Sequence, residues 1–445
     1  MKYIVTRPKP RTEKLTLEDI LFDLVDDIKL AKMNTITTPT ATKVYEVTDW
    51  WFQGDWSEHR RLIYDSLTKL REFYNKYKQY DIFFDPDYNY EEQLKAQKRV
   101  EKELIKEGID LTPELVEEKV KEELAKLNLK YNPYYYTFYL PKKSGSGWRQ
   151  IDAPTDDFKL VLRELKLIIE QMMSFNTYHT SAYAYIQHRS RVDLVQKLKS
   201  RKSRWLLKLD FSNFFGSITL DWTMEQLGRI YPFSEIIREN RALLESCMRL
   251  CFLDGRLPQG TPISPLLTNI LMIPIDFKIT NKLLKEAQQI TEFDNDDHGD
   301  KYDLVYTRYA DDIIIGSHRG FKYAPVINYI RQVLAEFNAP MQIKPEKTKY
   351  GNTSGQSWIL GLMYNSDYTI TIGHKNKRQI KAMINNFAMD YLNHQDIDPG
   401  DVHIALGKIS YLNSIEPDFA QDLLGRARQK YGIDIVAAMK TVAYA

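Results

Sequence analysis

DLVYTRYADDIIIG, residues 303–316, is the stretch on which the reading of this chain turns. Leu304, Val305 and Tyr306 lead into Asp311–Asp312, and Ile313, Ile314 and Ile315 follow. β-Branched and aromatic arms around a short polar centre predict two buried strands meeting at a tight turn. Two adjacent carboxylates at the apex of a buried hairpin repel each other and lose hydration, so they are tolerable only with a cation present. The same dipeptide recurs at Asp26–Asp27, Asp156–Asp157 and Asp296–Asp297. There it reads as a turn or a solvated helix end.

A third carboxylate has similar surroundings. In RWLLKLDFSNFFGSI, residues 204–218, the strand alternates and Asp210 closes it on the face shared by Leu206 and Lys208. An Asp ending one strand beside an Asp pair on a neighbouring hairpin makes an oxygen-rich site for Mg²⁺. Two such ions ~3.5–4 Å apart serve in-line phosphoryl transfer, one activating a primer hydroxyl and one steadying the leaving pyrophosphate.

Outward from this centre, the first 130 residues read as mainly helical. Apolar positions recur near every 3.6 residues between Leu15 and Met33, and a Thr-rich stretch follows at 34–42. A second amphipathic helix is predicted over 60–80. A third and fourth fall within 91–129, divided around Gly108–Pro113, with Thr112 placed as a cap. Opposite charges three and four apart over 119–130 favour a solvated helix face. From Tyr131, YNPYYYTFYLPKKSGSGWRQIDAP reads as a hairpin with a basic tip. Helices are predicted at 159–175, 192–198, 265–288 and 323–337, a strand at 205–210, and further strands near 358–364 and 368–372 before a helical end. Strands and helices interleave without a βαβ period, so the fold class is α+β.

Composition sets the limits. The 445 residues are 43% hydrophobic and 27% charged, enough for a large core. No apolar run approaches the ~20 residues that span a bilayer. The start, MKYIVTRPKPRTEK, lacks the apolar centre of a secretory signal. The two cysteines, Cys247 and Cys251, fall four apart on a predicted helix and read as packing, and a reducing cytoplasm is expected. Residues 1–130 carry 23 Lys+Arg against 26 Asp+Glu, the remainder 39 against 34, which allows a nucleic-acid partner without demanding one. His298 in DNDDHGD sits in a loop that lacks the closing Glu of a calcium-binding loop, and reads as a solvated insertion.

Taken in order, LDFSNFF (209–215), LPQGTPISPLLTN (257–269), RYADDIIIG (308–316), IKPEKTK (343–349) and ILGL (359–362) resemble palm motifs A to E of a reverse transcriptase. PKKSGSGWRQIDAP and SAYAYIQHRS stand where finger motifs precede them. The resemblance covers about residues 131–445. It implies a right-hand polymerase with a helical N-terminal extension (1–130), fingers (131–205), palm (206–372) and helical thumb (373–445). It implies Asp210, Asp311 and Asp312 as ligands of two Mg²⁺ ions. Phe215 would lie under the sugar of the incoming nucleotide and exclude a 2′-hydroxyl, unless it is simply a core residue beside Phe214. Gln259 and Gly260 would border the nucleotide. Arg149 with Lys142 or Lys143 would grip the triphosphate. Lys347 would protonate the pyrophosphate, with Lys344 and Lys349 as competitors. Leu360 and Gly361 would belong to the primer grip, and Lys375, Lys377, Arg378 and Lys381 would track phosphates along the first thumb helix.

The same resemblance implies an RNA template, a DNA or RNA primer and dNTPs as partners, no membrane, and an oligomer as an open question. Asn338-Ala339 is not followed by the His of the retron Asn-Ala-x-x-His pattern, and Leu360-Gly361-Leu362 stands where Val-Thr-Gly is expected. These departures count against a typical retron; what remains resembles a bacterial retron-like or group-II-like enzyme with a helical extension of its own, most similar to defence-associated reverse transcriptases templated by a structured non-coding RNA. Untemplated or protein-primed synthesis, a retron or group-II-like enzyme outside defence, and an RNA-binding scaffold with a polymerase fold are the alternatives. Trp50, Trp51 and Trp56 either stack on unpaired bases or anchor the extension.

Overall fold

A computed structural model of the chain describes residues 56–81, 87–141, 148–173, 178–290, 304–352, 359–364 and 369–444. The first predicted helix and the Thr-rich stretch, Trp50 and Trp51, the side chain of Trp56, Lys142 and Lys143, and the His298 segment lie outside the described residues. The architecture mixes helices with one central antiparallel sheet, an α+β fold.

Helix α1 (Trp56–Tyr77) is followed by α2 (Tyr90–Glu107) and α3 (Pro113–Lys126). The side chain of Asn89 accepts the Glu92 N–H to open α2, and Thr112 accepts that of Leu115 to open α3, so two otherwise orphaned helix donors are satisfied. Ala96, Val100 and Leu104 of α2 meet Val120 and Leu124 of α3 in a small core of their own, with charged residues outside. Helix α1 behaves differently. Its Ile63, Leu70 and Phe73 enter the main core of the chain.

Strands β1 (Tyr135–Pro141) and β2 (Trp148–Pro154) form the expected hairpin, with Phe138 opposite Ile151 and Leu140 opposite Arg149. Helix α4 (Asp156–Met172) buries Phe158, Leu162, Leu165 and Ile169 on one face. Helix α5 (Arg191–Ser200) begins at a capping box made by Ser190 and Asp193.

Next come β3 (Trp205–Ser212), the short α6 (Phe214–Ser217), α7 (Leu220–Leu227), α8 (Phe233–Arg249) and α9 (Ser264–Ile290). They are followed by β4 (Val305–Tyr309), β5 (Asp312–Ser317), α10 (Tyr323–Glu336), β6 (Gln342–Ile343) and β7 (Lys349–Asn352). The sheet runs β4-β5-β3-β6, with β7 also paired to β3. Strand β3 continues two residues beyond Asp210, the end expected from its alternation, because Phe211 and Ser212 pair with Ile343 and Gln342.

Alternation gives the sheet two differently used faces. Leu207, Leu209, Tyr306, Ile313 and Ile315 point into the main core, where they meet Trp222 of α7, Leu244 of α8, Ile270 of α9 and Ile330 of α10. Each fully buried Leu or Ile there contributes about 1.5–3 kcal/mol over leaving it in water. Leu206, Val305 and Ile314 face a second core, shared with α5 and the C-terminal helices. Along β3 that second face reads Leu206, Lys208, Asp210. Apolar cover ends part-way along the strand and charge begins.

A short ribbon of β8 (Met363–Tyr364) and β9 (Ile370–Thr371) leads to α11 (Gly373–Leu392), α12 (Pro399–Ile415), α13 (Pro417–Tyr431) and α14 (Ile435–Ala443). Ile384, Phe387, Ile409, Leu412, Leu423 and Met439 hold this bundle to the second core. Cys247 and Cys251 are buried and free. Among the described residues no helix is long and apolar enough to cross a membrane.

Candidate active site

Register brings the three carboxylates to one place. Asp210 of β3 pairs directly with Asp312, the first residue of β5. Ala310 and Asp311 connect β4 to β5, and Ala310 takes a left-handed conformation with φ 57°, as tight hairpin turns demand. The Phe211 N–H donates to the Asp311 carbonyl at 3.1 Å, which stitches that turn onto β3.

Lysines supply the counter-charge. The Lys344 N–H donates to the Asp210 carbonyl at 2.8 Å and so sets a one-turn 3₁₀ helix, Pro345–Lys347, beside β3. From it Lys347 Nζ donates to both Asp210 oxygens, at 3.0 and 2.9 Å. Of the three lysines that compete on sequence, Lys347 is the one whose ammonium reaches the Asp210 carboxylate. Lys208 Nζ stands 2.8 Å from Asp312 Oδ1, but out of hydrogen-bonding alignment, and that buried oxygen has no donor. Burial, then the charges of Asp312 and Asp210, push the Asp311 carboxyl above its ordinary range. The hydrogen bond to Asp210 holds the Lys347 ammonium above its own.

Among the described residues no three His, Cys, Asp or Glu side chains are gathered into a cage for an ion; the two ammonium groups stand against the carboxylates instead. The donor set nonetheless fits a hard divalent cation. It consists of carboxylate oxygens, one of them buried without a donor, and a third acid whose charge its neighbours oppose.

The loop before α9 joins this site to the β1–β2 hairpin. The Asp152 N–H donates to the Gln259 carbonyl at 2.9 Å. Gly260 has φ 131°, and a Cβ there would meet the Asp152 carbonyl oxygen and Ile151 Cγ2, each at 2.9 Å. Only glycine lets the loop lie against β2. Ser264 Oγ donates to the Pro258 carbonyl at 2.8 Å and braces the loop from within. Arg149 is exposed on β2, on the strand face of Ile151. Phe215 on α6 is only half-buried; its ring meets Phe214 edge-on at 5.5 Å and packs against the main core.

Leu360 (φ 54°) and Gly361 (φ 84°) form a two-residue turn closed by Ile359 and Leu362, whose N–H groups donate to each other's carbonyls at 2.6 and 2.9 Å. Arg191 Nη1 reaches the Leu360 carbonyl at 3.5 Å. On α11, Lys375, Arg378 and Lys381 are exposed. Lys377 departs from the expected phosphate-tracking row. Its ammonium pairs with Glu416 and lies 4.3 Å from the centre of the Phe419 ring. Glu416 also accepts from Thr371 Oγ1 and the Ile372 N–H, both at 2.9 Å. Lys377 therefore clamps α11 to the next helices.

Sequence reading overlooked the support beneath the turn. Arg308, Asp276, Asn269 and Tyr306 form a buried polar cluster behind Asp311. The available signal was an Asp among Ile273, Ile275 and Phe277 in a buried helix, seven residues after Asn269, since a buried acid needs a partner.

The family described as reverse transcriptase (RNA-dependent DNA polymerase) matches residues 140–381. The chain is 28% identical to the retron Ec73 reverse transcriptase of Escherichia coli, over 63% of this chain and 83% of that one. It is 26% identical to the retron Ec83 reverse transcriptase of the same organism, over 69% and 90%. Likeness to retron enzymes agrees with the retron-like palm expected from the ordered motifs, while Asn338-Ala339 and Leu360-Gly361-Leu362 still depart from the retron patterns. Among solved structures, telomerase from Candida albicans aligns with a TM-score of 0.35 at 11% identity, covering 69% of this chain and 61% of its own. Apo telomerase from Candida tropicalis aligns with a TM-score of 0.37 at 11% identity, covering 70% and 64%. The chain thus spans about three fifths of those telomerases.

Proposed function

The chain belongs to the reverse transcriptase (RNA-dependent DNA polymerase) family, and we propose that it extends a primer with deoxynucleotides on an RNA template within a bacterial retron-like element. The observation that carries this reading is the register of Asp210 opposite Asp312, with Asp311 stitched to the same strand. Domains of this family generally use divalent metal ions, and here Asp210, Asp311 and Asp312 would hold two Mg²⁺, which when bound activate the primer hydroxyl and stabilise the charge on the departing pyrophosphate.

The protein's own groups do the rest. Lys347, held protonated by Asp210 in the resting chain, is the proton source for the pyrophosphate once that carboxylate turns to another cation. Its side chain is about half exposed, so it has room to swing from one partner to the other. Arg149 of β2 and Lys142, next in sequence after β1, grip the triphosphate, the guanidinium as a fork and the ammonium as a point charge. Gln259 and Gly260 shape the floor below it. Phe215 sets the space beside the sugar and excludes a 2′-hydroxyl. The Leu360–Gly361 turn supports the primer end, and Lys375, Arg378 and Lys381 follow the duplex backbone. A structured non-coding RNA as template and a part in anti-phage defence complete the proposal.

The test is single-turnover incorporation of dNTPs on a primed RNA by the wild-type chain and by Asp311→Ala. Loss of at least ~10³-fold with retained folding is expected, because a transition-state charge loses its anchor. The lysine pairing of Asp210 and Asp312 favours a second reading, a polymerase fold kept as an RNA-binding scaffold. Tight RNA binding with no extension by either protein would establish that one.

A further inference from the structure

Arg308 is wholly buried, and so is Asp276 of α9. Arg308 Nε donates to both Asp276 oxygens at 2.9 and 3.1 Å, and Nη2 to Oδ2 at 2.8 Å. Its remaining amino group divides between Asn269 Oδ1 at 3.2 Å and the Ala310 carbonyl at 3.3 Å. Tyr306 Oη donates to Asp276 Oδ1 at 2.7 Å. The Arg308 main chain is tied as well: its N–H donates to the Ser181 carbonyl at 2.7 Å, and its carbonyl accepts from the Tyr183 N–H at 2.9 Å. Asn269 Nδ2 completes the circuit by donating to the Ala184 carbonyl at 2.7 Å. The next residue, Tyr185, is exposed and left-handed at φ 59°, a conformation an aromatic residue adopts only when its surroundings impose it.

We propose that Arg308 is a positioning residue of the polymerase site: through Ala310 it aims the backbone that carries Asp311, and through Asn269 it fixes the 181–185 segment so that Tyr185 stands at the same mouth. This rests on the polymerase reading above. A buried ion pair is a poor device for stability alone, since apolar residues of similar volume replace such pairs with little loss or a gain. What an apolar pair cannot supply is direction. A guanidinium fork locked by one carboxylate aims its remaining amino group at two fixed acceptors, the Asn269 amide oxygen and the Ala310 carbonyl, and that carbonyl belongs to the left-handed residue immediately before Asp311. The charges of Asp311 and Arg149 act on Tyr185, so one hub serves both the Asp311 turn and the Tyr185 segment.

Two variants test this. Arg308→Met combined with Asp276→Leu removes both charges together, and Arg308→Lys keeps the charge but loses the fork. Thermal unfolding, affinity for primed RNA, and single-turnover kpol and Kd for dNTP are measured on each. Both variants are expected to unfold within a few degrees of wild type and bind primed RNA within about twofold. Their kpol should fall roughly 30–100-fold, the scale of a 1 Å misplacement. A folded variant with wild-type kpol overturns the proposal, as does activity that falls only with the folded fraction. If the double variant does not fold, Arg308→Lys decides alone; if neither folds, the pair is a requirement of the fold and the positioning role is overturned. Wild-type protein that extends no primer sinks the polymerase reading first and this inference with it, whereas active wild type with equally active variants sinks only the inference.

Discussion

Two ion pairs flank the turn at Ala310–Asp311, and their exposure separates them. Arg308–Asp276 is sealed on both sides at 0%, whereas Lys347–Asp210 has side-chain exposures of 53% and 11%. The Coulomb attraction is of one kind, but the alternatives open to each partner differ. Inside, a parted charge meets no water and no other ion, so removing one partner strands the other at a high cost. At the mouth, the ammonium can leave for solvent at little cost, and the carboxylate is then available to another cation. The closed pair is equipped to hold geometry and the open pair to exchange partners.

That contrast can be broken in four steps, taken from the largest expected effect to the smallest. Lys347→Ala should lower kpol by about 10²–10⁴-fold, the usual reach of a general acid, while stability changes by less than about 1 kcal/mol. Arg308→Ala should show the opposite emphasis, with urea unfolding revealing a loss of about 3–5 kcal/mol from the stranded Asp276. Equal stability losses in the two variants would erase the distinction. The thumb repeats the contrast on a smaller scale. Lys375→Ala, Arg378→Ala and Lys381→Ala should each reduce the slope of log affinity against log salt for primed RNA by roughly 0.7–0.9. Lys377→Ala should leave the slope alone and lower the melting temperature, because its charge is engaged with Glu416.

The smallest effect is a pH dependence. The folded-state pKa of Asp311 is raised, so its ionisation disfavours the fold as pH climbs out of the ordinary carboxylate range, near ~3.9 for a free Asp. In chelator, Asp311→Asn should therefore have a higher urea midpoint than wild type at neutral pH. The gain should vanish once the pH falls below that range, where both forms are uncharged. A gain independent of pH would show that the Asp311 charge is not opposed by its neighbours.

Much of this molecule was legible from residue order. The hairpin arms around Asp311–Asp312, the cap at Thr112, the break between α2 and α3, the aromatic β1–β2 hairpin and the long α9 all follow from local periodicity and turn chemistry, which act over a few residues. So did the ordered motifs that carry the family resemblance. Local rules could not tell which charges would be buried. Asp276 meets Arg308 across 32 residues of chain, Lys377 meets Glu416 across 39, and Lys347 meets Asp210 across 137. Each encounter depends on register and on helices crossing a sheet. The sequence by itself determined which side chains carry charge and which strands alternate. Only the tertiary structure decided which charges lose their water, and the desolvation that follows separates a scaffold pair from a working one.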